Sequence, residues 1–201
     1  MTDKAASAAR GLEVWRKSIR ERATLLTALA RSSLGPRVMQ VADLMAEAMA
    51  ADRKVLLFGN GGSAASAQHA AAELVGRYER ERKALPAIAL TTDTAILTAV
   101  SNDYGYDRVF ERQIMGLAQK GDVVIALSTS GRSKNILRGL RAARRCGATT
   151  AALLGQGGGP ARLLADLPIV VPASRVPLIQ EAHDFIIHVL CEAIDRRRQT
   201  S

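Results

Sequence analysis

Five short apolar runs restrict this chain more than any other feature: Lys54 to Phe58, Ala87 to Leu90, Val123 to Leu127, Thr149 to Leu154 and Ile169 to Val171. Runs that are apolar throughout, without the in-out alternation of a half-solvated strand, suit strands covered on both faces. Helix-like stretches separate them. Parallel strands need crossovers of that kind, so the pattern predicts a doubly wound α/β fold with a parallel sheet. In such sheets ligands bind where strands end and helices begin, which directs attention to the loops after each run.

Two helices come first. Leu12, Trp15, Ile19, Leu26 and Leu29 recur at spacings near three, four and seven, and a break at SSLGP follows. Pro36 suits the first turn of a second helix, whose stripe is Val38, Val41, Leu44, Met45, Ala48 and Met49. The last helix begins after Pro177, carries Gln180, His183, Asp184 and His188, and ends in the run Arg196 to Arg198. A chain of 201 residues, 48% apolar and 23% charged, can bury one sizeable core. The division expected is therefore residues 1–52 as N-terminal helices and residues 53–201 as one α/β unit.

No apolar run is long enough to cross a bilayer, and MTDKAASAARGLEVW has charges where a signal peptide has its apolar segment. A soluble cytoplasmic protein without a membrane partner is expected. Cys146 and Cys191 lack metal-site or redox spacing and read as small core residues. The net charge of +9 suits an anionic substrate or partner. Its basic residues are scattered, including those of the ERERK stretch ending at Lys83, and only three Phe, three Tyr and one Trp are available to stack on bases. A solvated arginine-rich surface is therefore favoured over a nucleic-acid interface.

The first apolar run continues as GNGGSAASAQHAAAE. Gly59, Gly61 and Ala64 fit the G-x-G-x-x-G/A spacing of dinucleotide sites, and Asp93 stands near where such a site places its ribose-binding acid. The third run empties into STSGRS, residues 128–133. Four hydroxyls, a glycine and a helix start suit a phosphate dianion; the alternative is a capping cluster, with Ser130 accepting from the N–H near Ser133. A dinucleotide enzyme has no need of that second anion site, whereas a sugar monophosphate would use both loops. Ser128, Thr129, Ser130 and Ser133 would hold the phosphate, and Asn60, Gly61, Gly62 and Ser63 would face the hydroxyl-rich end. A loop with Ser101, Asn102 and Asp103 offers further partners, although an Asn-Asp pair is by itself only a turn signal.

His69 and Glu73 lie one helical turn apart, and Gln180, Asp184 and His188 form an i, i+4, i+8 ladder. Two imidazoles, a carboxylate and an amide oxygen can bind zinc, nickel or manganese. Spacing alone favours ordinary helix-face residues, because polar pairs of this kind are common.

The combination GNGGSAASAQHAAAELVGRY, PAIALTTDTAILTAVSNDYGYDRVF, GDVVIALSTSGRSKNIL and IQEAHDFIIH closely resembles the sedoheptulose-7-phosphate isomerases of the sugar isomerase (SIS) domain family, in the same order from about residue 36 to the last helix. The resemblance implies a flavodoxin-like five-stranded domain over residues 53–201, with N-terminal helices packing on it and in a homotetramer whose active sites lie between subunits. It implies a sugar-phosphate substrate in early bacterial heptose biosynthesis. His69, Glu73, Gln180 and His188 resemble the family's ligands for a divalent metal, usually zinc, and Glu73 and His188 also resemble its acid/base pair. Asn60, Gly61, Gly62, Glu73, Asn102, Asp103, Ser128, Thr129, Ser130, Ser133 and Gln180 resemble its substrate-binding positions, with Asp93 added as a neighbour of the sugar. Non-catalytic adaptors of the same superfamily, which bind the replication initiator, share the glycine turn but lack part of the Glu and His set. Glu73 and His188 are both present here, which favours an enzyme.

Overall fold

A computed structural model describes residues 2–197, so Arg198 of the terminal basic run lies outside the described residues. The chain forms two compact units, Met1–Ser32 and Ser33–Ser201. The first unit is one helix, α1 (Thr2–Arg31). Leu12, Val14, Trp15, Ile19 and Leu26 are exposed along it.

The second unit opens with α2 (Leu34–Ala50), followed by β1 (Val55–Gly59), α3 (Gly62–Val75), β2 (Ala87–Ala89), α4 (Thr94–Tyr104) and α5 (Val109–Leu117). β3 (Val123–Ser128), α6 (Lys134–Arg145), β4 (Thr149–Leu154), α7 (Ala161–Leu164), β5 (Leu167–Val170) and α8 (Val176–Arg197) complete it. All five strands pair in parallel, in the order β2-β1-β3-β4-β5. This is the flavodoxin-like arrangement expected. Every residue of β1 and β3 is buried, as their uninterrupted apolar runs require. β5 starts two residues before the apolar run that marks it and includes Pro168, tolerated because an edge strand needs only one side of its ladder.

Strand alternation divides the core between two faces. Leu56, Phe58, Val124 and Ala126 pack with Phe110 and Ile114 of α5 and with Ile136 and Leu140 of α6. Leu57, Ile125 and Leu153 meet Met45, Leu74, Ile187 and Leu190 from α2, α3 and α8. Cys191 lies among the second group, and burial foremost pushes its thiol up to about 12. A neutral, buried thiol is a core residue and has no nucleophilic role.

The lower ends of β1 and β3 are clipped together by Asp122, whose side chain is fully buried. One carboxylate oxygen accepts from the Lys54 N–H at 3.0 Å, and the other accepts from the Gln119 N–H and meets Lys54 Nζ, both at 2.8 Å. Burial alone would raise this carboxyl, but the hydrogen bonds and charge of Lys54 and the Gln119 amide outweigh it and hold the group below the ordinary aspartate value. A depressed folded-state value means stability that is full above the unfolded value and lost as pH falls through the folded one. Asp122→Asn should therefore cost about 2 kcal/mol near neutral pH by leaving Lys54 without its counter-ion. In urea unfolding, the gap between wild type and variant should shrink steadily below about pH 4. A gap that stayed constant down to pH 3 would contradict this account.

Candidate active site

β1 and β3 are neighbours, and the chain leaves them toward opposite sides of the sheet, so the loops after Gly59 and Ser128 open a shared crevice at the strand ends. The first loop enters α3 at Gly61, with the Ser63 N–H donating to the Asn60 carbonyl and the Ala64 N–H to that of Gly61. Gly62 has a reason to lack a side chain. A Cβ there would stand 2.3 Å from Nε2 of Gln180, so the α8 amide lies directly across the start of α3.

α3 and α8 pack together and bring their polar residues into register. Nε2 of His69 and Nε2 of His188 meet at 2.8 Å, one ring donating and the other accepting. Their rings are edge-on at 5.1 Å, and Tyr78 stacks on the His188 ring at 5.5 Å. Glu73 Oε1 lies 3.7 Å from Nδ1 of His69, with about a fifth of the Glu73 side chain exposed. His69, Glu73 and His188, 119 residues apart at the extremes, therefore come together, while Gln180 lies against Gly62 at the start of α3. His183 does not join it. It faces the core, 1% exposed, and burial lowers it to about 4, so its ring stays neutral.

Two imidazoles nose to nose, a carboxylate and an amide are donors of the kind that zinc takes. Tetrahedral zinc holds two ring nitrogens about 3.3 Å apart, so the rings fit by parting roughly half an ångström. As the side chains stand, no set of three or more His, Cys, Asp or Glu among the described residues converges closely enough to hold a metal. The reason is visible: the Glu73 carboxylate faces Nδ1 of His69, the far side of the ring from His188.

The bonds made by the phosphate-loop candidates differ from those of the alternative capping cluster. Ser128 is buried and its Oγ accepts from the Gly131 N–H at 3.0 Å; Ser130 Oγ accepts from the Arg132 N–H at 3.3 Å, and not from the N–H near Ser133. Ser133 is the residue before α6, where its side chain makes no cap bond. Gly131 lies against a second glycine turn, and the Ala161 N–H donates to its carbonyl.

One expectation needs correction. Asn102 and Asp103 are in the last turn of α4 and not in a loop, because the helix runs on to Tyr104 and stops only at Gly105, whose φ is +87°. They are exposed and bonded to each other at 2.9 Å. Asp93 caps α4, accepting from the Ile96 N–H at 2.9 Å.

The sequence reading also passed over Tyr78, Arg82, Tyr106 and Asn135. Arg82 belongs to the ERERK stretch read as solvated, yet its side chain is only 10% exposed. Its guanidinium meets Asp195 of α8 at 2.7 Å and donates to the carbonyls of Glu73 and Leu74 at 2.7 and 2.8 Å, closing the end of α3. Asn135 pairs with Asn60, and Tyr106 donates to Asn60 at 3.1 Å. An arginine beyond the end of α3, able to donate to the last carbonyls of the helix, is the signal that the sequence offers for Arg82.

A SIS domain model matches residues 19–155. The chain is 51% identical over 173 residues to a phosphoheptose isomerase of Geobacter sulfurreducens, covering 86% of this chain and 91% of the relative. The structure superposes on a phosphoheptose isomerase of Francisella tularensis with a TM-score of 0.89 and 35% identity, covering 92% of this chain and 98% of the other. It superposes on that of Neisseria gonorrhoeae with a TM-score of 0.83 and 39% identity, covering 94% and 98%. On this matching domain model, these identities and these superpositions, the chain belongs to the phosphoheptose isomerase family of SIS-domain proteins.

Proposed function

We propose that the protein is an aldose–ketose isomerase that converts D-sedoheptulose 7-phosphate to D-glycero-D-manno-heptose 7-phosphate, opening bacterial heptose biosynthesis in the cytoplasm. The convergence of His69 and Glu73 with His188 where α3 packs on α8 carries this reading. The phosphate sits on Ser128, Thr129, Ser130 and Ser133 at the α6 N-terminus, where hydroxyls and free N–H groups favour a dianion. Asn60, Gly61, Gly62, Asn102, Asp103 and Gln180 take the sugar. Asn102 and Asp103 reach it from the exposed end of α4, and in a homotetramer with sites between subunits that end serves a shared crevice. Residues 1–52 supply assembly contacts, consistent with the exposed Leu12, Val14, Trp15 and Ile19.

The reaction moves one proton between carbons. The Glu73 carboxylate takes a proton from C1 of the ketose and, as negative charge builds on the C2 oxygen, His188 protonates that oxygen to give the enediol. The C1 hydroxyl then loses its proton to His188, and Glu73 returns the carbon-derived proton to C2. The aldehyde forms at C1 and no atom is gained or lost. A divalent metal, usually zinc in this family, would be held by His69, Glu73, Gln180 and His188, and when bound supplies positive charge against the developing enediolate. Turnover of sedoheptulose 7-phosphate by purified protein, followed by product chromatography, tests the assignment. Ser130→Ala should raise KM about tenfold with little change in kcat, since the lost bond to a charged group serves substrate and transition state alike. No turnover with or without added zinc, or sedimentation as a 21.4 kDa monomer, would remove the corresponding part of the proposal.

A further inference from the structure

Asn60 is held by two side chains from elsewhere in the fold, and their bonds determine which way its amide faces. Asn135, 3% exposed near the start of α6, accepts from the Ile136 N–H through its Oδ1 at 2.9 Å. A backbone N–H can only donate, so this atom is the carbonyl oxygen and the other terminal atom of Asn135 is the amide nitrogen. The same Oδ1 accepts from Asn60 Nδ2 at 3.0 Å, while Asn135 Nδ2 donates back to Asn60 Oδ1 at 2.8 Å. The Tyr106 hydroxyl donates to Asn60 Oδ1 at 3.1 Å. Both acceptor sites of the Asn60 carbonyl are then used, and so is one of its two amide hydrogens. Among the described residues, the second N–H has no partner.

We propose that Asn135 and Tyr106 are positioning residues that lock Asn60 as a pure hydrogen-bond donor toward the ketose end of the substrate. The inference rests on the isomerase reading above. Its chemical sense is polarity. An amide free to turn would offer oxygen or nitrogen to the substrate, and its oxygen would repel an enediolate; a locked N–H stabilises the oxygen as charge develops on it. The lock also joins the glycine turn to the start of the helix that holds the phosphate, so the two ends of the sugar phosphate are read by one hydrogen-bonded unit.

Asn135→Asp tests this with almost no change of shape. The aspartate still accepts from Ile136 and from Asn60 Nδ2, but it sets a second carboxylate oxygen where the donor to Asn60 Oδ1 had been. We expect kcat to fall about 50-fold with KM within threefold, because the loss concerns charge formed in the transition state. Tyr106→Phe removes one neutral donor from an exposed side chain, does not risk the fold, and should lower kcat about fivefold. Both effects should vanish in an Asn60→Ala background, since neither residue would then have anything to orient. Effects that persist undiminished in Asn60→Ala, or that appear only in KM, overturn the lock. If wild-type protein binds sedoheptulose 7-phosphate by calorimetry but does not isomerise it, the isomerase reading fails by itself. The same cycle is then run on the binding constant, where additivity overturns the lock and collapse of the effects upholds it.

Discussion

Glu73→Gln is expected to lower turnover of sedoheptulose 7-phosphate about a thousandfold while fold and sugar-phosphate binding survive. A positioned general base contributes two to four powers of ten, and a thousandfold corresponds to about 4 kcal/mol of activation free energy. The fold should survive because Glu73 serves it through its main-chain carbonyl, which Arg82 holds at 2.7 Å and which glutamine retains. The side chain itself is partly exposed, with Nδ1 of His69 at 3.7 Å. Exchange of the C1 hydrogen of the ketose with deuterated solvent separates carbon-acid chemistry from later steps. Wild type should exchange it and Glu73→Gln should not. His188→Gln should block turnover comparably. A variant at position 73 that still exchanged the C1 hydrogen at a near-normal rate would show that another group removes the proton.

Each half of the candidate site was legible because it is local. His69 and Glu73 share a face of α3 by the geometry of a helical turn, and Gln180 and His188 share a face of α8. Their meeting was not legible from spacing, since it depends on how α3 and α8 pack against one side of the sheet; there the family resemblance supplied what periodicity could not. The strands were legible because burial on both faces leaves an unbroken apolar run, and only β5, with Pro168 on an edge, began before its run. Charge and turn propensity misled for a shared reason: both treat a residue by its average surroundings. Arg82 reads as solvent-facing until Asp195 and the open carbonyls at the end of α3 are placed around it. Asn102 and Asp103 read as a turn until α4 continues through them to Gly105. Asn135 reads as one more amide near a helix start until Asn60, 75 residues earlier, is set opposite.

Gly131→Ala should be the most damaging single methyl in the α/β unit, although the residue has no side chain to lose. Its φ is +62°, a left-handed conformation that costs alanine about 1–2 kcal/mol. The added carbon would stand 1.9 Å from the Gly158 carbonyl oxygen and 2.6 Å from its carbonyl carbon. Both atoms are backbone, so no rotamer change relieves the overlap and the turn at residues 157–159 must move. Overpacking of this kind adds about 1–3 kcal/mol, giving a total near 3 kcal/mol and a melting temperature lower by about 8 °C. Function should suffer in the same place. Displacing Gly131 breaks the bond from its N–H to Ser128 Oγ and shifts the donors proposed to hold the phosphate, so inhibition by inorganic phosphate should weaken together with substrate affinity. Gly116→Ala is the control, because a Cβ there meets nothing within 4 Å on an ordinary helical backbone, and it should leave stability and phosphate inhibition unchanged or slightly raise the melting temperature. If Gly131→Ala melted with wild type and bound phosphate as tightly, the loop would be loose enough to absorb the methyl, and the backbone-to-backbone contact would not be what shapes the phosphate site.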